Sequence, residues 1–323
     1  MTAENAFYLP GGEHGGNASV VEAYLGLAPF SLIDLSMSMN PFAENITALL
    51  SDLAYTVGIY PNSEKLQLLL AEILDVDHRY LLLTNGAAEA IALVAHEVKV
   101  AKVDEPEFSL WKKHLCLVSK EAGLVKSNPV NPTGELVPEN LRAMVFDEAF
   151  YPLTKGEWSR RDFDSSSTIV IGSLTKLFAI PGLRLGYLIC KDESKLARMK
   201  KRQPEWPISS LSIAVAEQLL PGVDLALIRK KIIRRQQELY ELLTSYDLKV
   251  NVCQAPWLLI ENASWLRYFL ALEKVLLRDL TSFGMPSMLR MGLPNDSQMD
   301  FLAKALPKAI HKGKQFHGIR KWS

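Results

Sequence analysis

Apolar residues recur every three or four positions at Leu66, Leu69, Leu70, Ile73 and Leu74, which predicts a helix. The turn Tyr60-Pro61-Asn62-Ser63 leads into it, with Ser63 as the expected N-cap. The period then changes. Short apolar runs at 80–84, 98–103, 142–147, 168–172 and 187–190 read as buried strands, with weaker candidates at 115–118 and 123–125. Helical spacing separates several of them, at 85–94, from Phe108 to Trp111, and at 192–202. Upstream, 33–39 alternates apolar and polar like a half-buried strand and stops at Asn40-Pro41, a turn signal. Downstream, 211–220 and 223–246 read as helices, the second with a stripe of Leu225, Ile228, Ile232, Leu239, Leu242 and Leu243. Strands are expected at 248–252, 257–260 and 287–292, and helices at 265–277 and 296–310. The basic tail from Lys312 to Ser323 is expected to be mobile. Strand–helix alternation that turns mixed near the end predicts an α/β main domain with a small α+β domain.

Composition narrows the function classes. The 323 residues are 48% hydrophobic and 22% charged, enough for a full core. Thirty-six basic residues balance 36 acidic ones, so no global field favours nucleic acid or a membrane surface. The cluster Arg229-Lys230-Lys231 with Arg234-Arg235 reads as a solvated helix face, since glutamates offset it. Cys116, Cys190 and Cys253 are too far apart in sequence for a C-x-x-C site, and their odd number does not suggest a disulfide framework. A reducing cytoplasm, no signal peptide and no membrane span are the expectations.

The candidate chemistry centres on Ser173-Leu-Thr-Lys176, with Pro181-Gly-Leu-Arg184-Leu-Gly186 after it, between two apparent core strands. A lysine beside a core is costly unless it is paired or used. One use is a Schiff base with an aldehyde cofactor, of which pyridoxal phosphate is the common one. Ser173 and Arg184 would then grip the cofactor phosphate. The plainer alternative is a polar surface loop. Asp147 ends a strand, where ligands bind in α/β sheets or where a helix is capped. Residues 85–89 join a strand to a helix through small residues, which suits either a phosphate or simple packing. The glycine pairs around His14 fit neither a dinucleotide fingerprint nor a P-loop. Asn128-Pro-Val-Asn131-Pro-Thr-Gly134 is a dense turn, while Tyr60, Phe108 and Asn40 read equally as turn or core residues.

The spacing Ser-x-x-Lys…Pro-Gly-x-Arg-x-Gly resembles the cofactor-lysine signature of fold-type I pyridoxal-phosphate enzymes. From about His14 to Leu306 the pieces follow the order of the class I/II aminotransferase superfamily. The chain most resembles its histidinol-phosphate aminotransferase branch and, within that, the threonine-phosphate decarboxylase group of the cobalamin pathway. The resemblance implies a PLP-dependent transferase fold. A mostly parallel sheet would occupy 46–222, and a small α+β domain would form from 1–45 and 223–323. It implies Lys176 as the Schiff-base lysine and Asp147 as the partner of the ring nitrogen. Asn131 would bond the ring hydroxyl and Phe108 would stack on the ring. Ala87, Ala88, Ser173 and Arg184 would hold the phosphate, with Tyr60 reaching the neighbouring subunit's cofactor in a homodimer with shared active sites. Arg290 would clamp the substrate carboxylate, and His14, Asn40 and Arg278 the phosphate of a phosphorylated amino acid. The implied reaction is decarboxylation of L-threonine O-3-phosphate to (R)-1-aminopropan-2-yl phosphate. The alternatives are transamination of histidinol phosphate or another amino acid, and a non-catalytic binding protein. Phe150 stands where many aminotransferases carry a tyrosine, and the chain is shorter than typical members between Glu89 and Asn128 and around 255–290.

Overall fold

A computed structural model of the chain describes residues 9–159 and 168–317. It separates into two compact units: an end unit of Met1–Pro41 with Lys231–Ser323, and a central unit of Phe42–Lys230.

The end unit opens with helix α1 (Ala18–Leu25), stopped by Gly26 in the left-handed conformation, and strand β1 (Ile33–Asp34). The strand expected over 33–39 is only these two residues long. Asp34 Oδ1 accepts from the Ser36 N–H at 2.9 Å and from the Ser36 hydroxyl, a local turn that takes the backbone off the ladder.

The central unit begins with α2 (Thr47–Leu53) and a 3-10 turn (Ala54–Gly58), then α3 (Glu64–Leu74), which buries Leu66, Leu70 and Leu74. Ser63 makes no capping bond. Asn62 Oδ1 takes the Glu64 N–H instead, at 3.0 Å. There follow β2 (Leu81–Asn85), α4 (Gly86–Val98), β3 (Val100–Val103), α5 (Leu110–His114), β4 (Leu117–Val118) and β5 (Leu124–Ser127). The unit continues with β6 (Val145–Asp147), α6 (Tyr151–Lys155), β7 (Ile169–Ser173), α7 (Leu174–Leu177), β8 (Leu185–Cys190), α8 (Glu193–Arg202) and α9 (Ser210–Leu219).

Seven strands form one sheet in the order β2-β8-β7-β6-β5-β3-β4. From β7 to β4 every neighbouring pair is parallel, and β8 alone runs against both its neighbours. The apolar runs were unbroken because β6, β7 and β8 are buried along their whole length. Ile91, Val94, Trp111, Val125, Val145 and Ile171 make the core on the helical side. At the β2 edge, the amides of Gln67 and Gln203 donate to the carbonyls of Leu81 and Leu83, both at 2.9 Å, so side chains occupy an edge that could otherwise pair.

Helix α10 (Leu225–Thr244) carries the chain past the division. The end unit resumes with β9 (Lys249–Val252), β10 (Trp257–Glu261), α11 (Ser264–Leu272), β11 (Val275–Leu276), β12 (Arg278–Asp279), β13 (Met288–Gly292) and α12 (Asp296–His317). Its antiparallel sheet has the order β12-β13-β10-β9, and β1 pairs with β11 in parallel. The helix expected to reach 277 stops at Leu272. Lys274 takes a positive φ of 66°, and the buried Val275 and Leu276 become a strand. The tail expected to be mobile from Lys312 is helical as far as His317, with Lys312 paired to Glu273 at 2.5 Å. The guanidinium of Arg267 ties the chain start to this unit, donating to the carbonyls of Leu9, Pro10 and Leu277 at 3.2, 2.8 and 3.2 Å.

Candidate active site

The sequence-predicted cofactor residues all fall in the central unit, and the substrate residues all fall in the end unit.

In the central unit the C-terminal ends of three parallel strands line up. Ser127 of β5 is the Cα partner of Asp147 of β6, and Asp147 is the partner of Ile171 of β7. Lys176 lies in the single turn of α7 that follows β7. Its Nζ stands 5.3 Å from the centre of the Phe150 ring, at the position that would carry a tyrosine hydroxyl in many aminotransferases. Thr175 holds the far end of the Lys176 loop. Its hydroxyl donates to the Leu185 carbonyl at 3.1 Å and accepts from the Leu185 N–H at 3.2 Å. Ser212 of α9 adds a bond to the Leu183 carbonyl at 2.6 Å.

Asp147 is buried, and burial pushes its carboxyl up to about 7; the nearby carboxylates of Glu107 and Glu148 push the same way, while the Ala149 N–H and Lys176 oppose them. Glu148 is buried beside it and accepts from the Asn128 amide at 2.8 Å. Asn131 is half-buried in the turn after β5, a turn closed by Gly134 N–H to Val130 carbonyl at 2.7 Å. Phe108 packs against the core near Trp111.

The phosphate candidates also meet. Gly86 opens α4 with a φ of 72°, and a Cβ there would stand 2.5 Å from Arg184 Nη2. Arg184 itself holds a positive φ of 53°. Gly186, the Cα partner of Ser173, comes so close to the start of α4 that a Cβ on it would lie 2.6 Å from the Ala87 nitrogen. Ser173, Ala87, Ala88 and Arg184 thus surround a helix N-terminus whose first amides have no intrahelical acceptor. Tyr60 is apart from this cluster: it is 77% exposed and packs against Trp206, ring centres 4.6 Å apart.

In the end unit, Arg278 and Arg290 are Cα partners across β12 and β13. Arg278 is buried and donates to the carbonyls of Gly12 and Glu13 at 2.5 and 2.6 Å and to the Ser282 hydroxyl at 2.8 Å. Those contacts use three of the five guanidinium N–H groups. Arg290 lies over the Trp257 ring at 5.0 Å and reaches the Ser36 carbonyl at 3.5 Å. Burial, with the charge of Arg278 beside it, pushes Arg290 down to about 9, still charged at neutral pH. The His14 loop joins this group, because the Gly16 N–H donates to the Ser36 hydroxyl at 2.9 Å. Gly15 lies so close to the Ser36 carbonyl that only glycine fits. Asn40 is buried at the end of the same segment.

Thr175, Ser212 and Glu107 escape a reading of the sequence. Threonine beside a lysine has no periodic signal, and Glu107 carries none either.

Residues 87–306 match the family model for aminotransferase class I and II, and the chain belongs to that family, whose cofactor is pyridoxal 5'-phosphate. It is 30% identical to a threonine-phosphate decarboxylase of Salmonella typhimurium, over 63% of this chain and 69% of that protein. It is 25% identical to histidinol-phosphate aminotransferase 1 of Mannheimia succiniciproducens, over 88% of this chain and 92% of the relative. The crystal structure of histidinol-phosphate aminotransferase from Sinorhizobium meliloti, in complex with pyridoxal-5'-phosphate, superposes with a TM-score of 0.74 at 16% identity, covering 97% of this chain and 98% of that one.

The residues present fit the cofactor. A buried acid with a raised proton affinity suits a ring nitrogen that must keep its proton. The bare backbone at Gly86 and Gly186, with Arg184 over it, suits a phosphate.

Proposed function

We propose that the chain is a pyridoxal-phosphate-dependent decarboxylase of a phosphorylated amino acid, with L-threonine O-3-phosphate as substrate and (R)-1-aminopropan-2-yl phosphate as product. The observation that carries this reading is the pair of buried arginines in register on β12 and β13, with the His14 loop folded against them. A substrate with two anionic groups, a carboxylate and a phosphate, needs two sets of charge-assisted donors. Arg290 serves the carboxylate. His14, Asn40 and the remaining donors of Arg278 serve the phosphate.

When bound, pyridoxal phosphate would supply an electron sink for a bond at the substrate's Cα. Lys176 would hold the cofactor through its Nζ and would move a proton at the substrate. Asp147 holds the proton of the ring nitrogen, and Asn131 orients the ring through its hydroxyl. Phe108 covers a ring face. Ser173, Arg184 and the amides of Ala87 and Ala88 hold the phosphate. Arg290 and the phosphate-binding groups choose the bond that breaks, by positioning alone. Phe150 leaves Lys176 facing an aromatic ring where a tyrosine would offer a hydroxyl.

Transamination is the second reading, favoured by the coverage of the Mannheimia aminotransferase, and the same central-unit residues would serve it. Incubation with phosphothreonine separates the two: CO₂ release supports decarboxylation, while a 2-oxo acid formed with an amino acceptor overturns it. A homodimer is part of the proposal. Tyr55, Val57, Ile59, Tyr60 and Trp206 are all more than half exposed, an apolar group that a second copy would cover. Sedimentation at micromolar concentration tests it, and a monomer would refute it.

A further inference from the structure

Glu107 is a buried carboxylate of the central unit that the sequence did not mark. Its side chain is fully shielded from solvent. It accepts the Ser127 N–H at 2.8 Å, the Phe108 N–H at 2.7 Å and the Ser127 hydroxyl. Lys126 Nζ is 3.7 Å away. Each contact points toward the cofactor residues. Ser127 is the Cα partner of Asp147, and the Asn128 N–H donates to the Asp147 carbonyl at 2.8 Å. Phe108 is the candidate ring cover. One carboxylate therefore ties the Phe108 segment to the strand end beside Asp147.

Three donors are more than a spare buried carboxyl would gather, and they favour the charged form against the burial that pushes Glu107 up. The other charges around it are few. Glu105 accepts the Glu107 N–H at 2.9 Å and is itself paired with Lys112. Asp147 ends β6, Glu148 follows it, and Lys176 lies in α7. Lys126 partly offsets the anion and also bonds the Asp104 carbonyl at 3.0 Å.

We propose that Glu107 is a positioning residue of the cofactor half-site: it fixes the Phe108 backbone and, as a second negative charge behind Asp147, strengthens the hold of Asp147 on the proton of the cofactor's ring nitrogen. This rests on the pyridoxal-phosphate reading above. It adds that the acid opposite the ring does not act alone. Glu107 touches neither substrate nor cofactor atoms and acts through Asp147 and Phe108.

The test is the pH titration of the ring-nitrogen 15N chemical shift in the protein loaded with 15N-labelled pyridoxal phosphate, with no substrate added. Removing the negative charge lowers proton affinity nearby, so Glu107→Gln shifts the midpoint down by about one pH unit. Lys126→Met unmasks the same charge and shifts it up by roughly half a unit. A merely structural role would alter melting and leave both midpoints in place. If Glu107→Gln does not fold, Lys126→Met decides alone. Midpoints equal to wild type in variants that fold and load, or shifts of the opposite sign, overturn the proposal. A wild-type protein that develops no visible band on loading instead defeats the cofactor reading itself.

Discussion

The buried charged groups of the central unit are mostly carboxylates and those of the end unit mostly guanidiniums, with Glu22 the exception there. In the central unit the buried charged groups include the carboxyls Glu107, Asp147 and Glu148, gathered at the ends of β5 and β6. In the end unit they include the guanidiniums Arg235, Arg267, Arg278 and Arg290. Burying a charge without its partner is costly, so each unit holds an electrostatic demand. Some of it is met by the fold. Arg267 spends its three bonds on main-chain carbonyls, and Arg235 bonds the Pro294 carbonyl and pairs with Glu238 at 2.8 Å and with Asp296. Arg290 is placed differently, over the Trp257 ring at 5.0 Å and reaching the Ser36 carbonyl at 3.5 Å. Asp147 differs likewise, as a carboxyl driven to about 7 rather than neutralised by a cation. The groups bonded mainly to the main chain are structural, and Asp147 and Arg290, whose charged forms burial disfavours, are the candidates for ligand chemistry.

The strongest way to break this comparison is Lys176→Ala. It should cut turnover by at least about 10³-fold, because no other amine takes the same place. Retained turnover, measured with the product assay, would refute the assignment. Arg290→Gln sharpens the division of labour. It should lower kcat/KM by roughly 100-fold or more through loss of a charge-assisted contact, while the visible band of the bound cofactor stays as in wild type. A lost band would mean that Arg290 serves the cofactor half instead.

Asp147→Asn turns the comparison toward stability. Without cofactor, the folded protein keeps a proton on Asp147 up to about pH 7, whereas the unfolded chain sheds it near 3.8. A raised carboxyl pKa therefore costs stability as pH climbs through that window, and the cost persists above it. The variant apoprotein should be more stable than wild type at pH 8 by about 2–4 kcal/mol and nearly equal at pH 4. Urea melts at both pH values check this, and a difference independent of pH would contradict it. The smallest effect is expected for Thr175→Val. It leaves the Leu185 N–H without its hydroxyl partner, a loss of roughly 1–3 kcal/mol, with faster release of cofactor. Unchanged urea midpoints and off-rates would show that the loop is held by other contacts.

Much of the central unit was legible because β6, β7 and β8 are buried along their whole length and its turns carry punctuation. The run 168–172 became β7, and the Asn128–Gly134 turn falls where the proline and glycine pattern put it. The strand–helix junction at 85–89 was legible for a related reason: its small residues leave the backbone bare, as Gly86 at the start of α4 shows. The failures share one physical cause, which is that a local signal yields to a neighbour distant in sequence. Alternation over 33–39 predicted a strand, but the Asp34 side chain bends the chain after two residues. Apolar spacing carried the expected helix to 277, but Val275 and Leu276 serve β1 better as a strand. Glu107 carried no signal in the sequence, and only the fold shows its side chain enclosed against Ser127, the Cα partner of Asp147.

The account depends most on Lys176 being joined to pyridoxal phosphate. Loading the protein with the cofactor, reducing it with borohydride and mapping the peptides by mass would settle this directly. The account predicts a pyridoxyl group on Lys176; a label on another lysine, or none after loading, would contradict it.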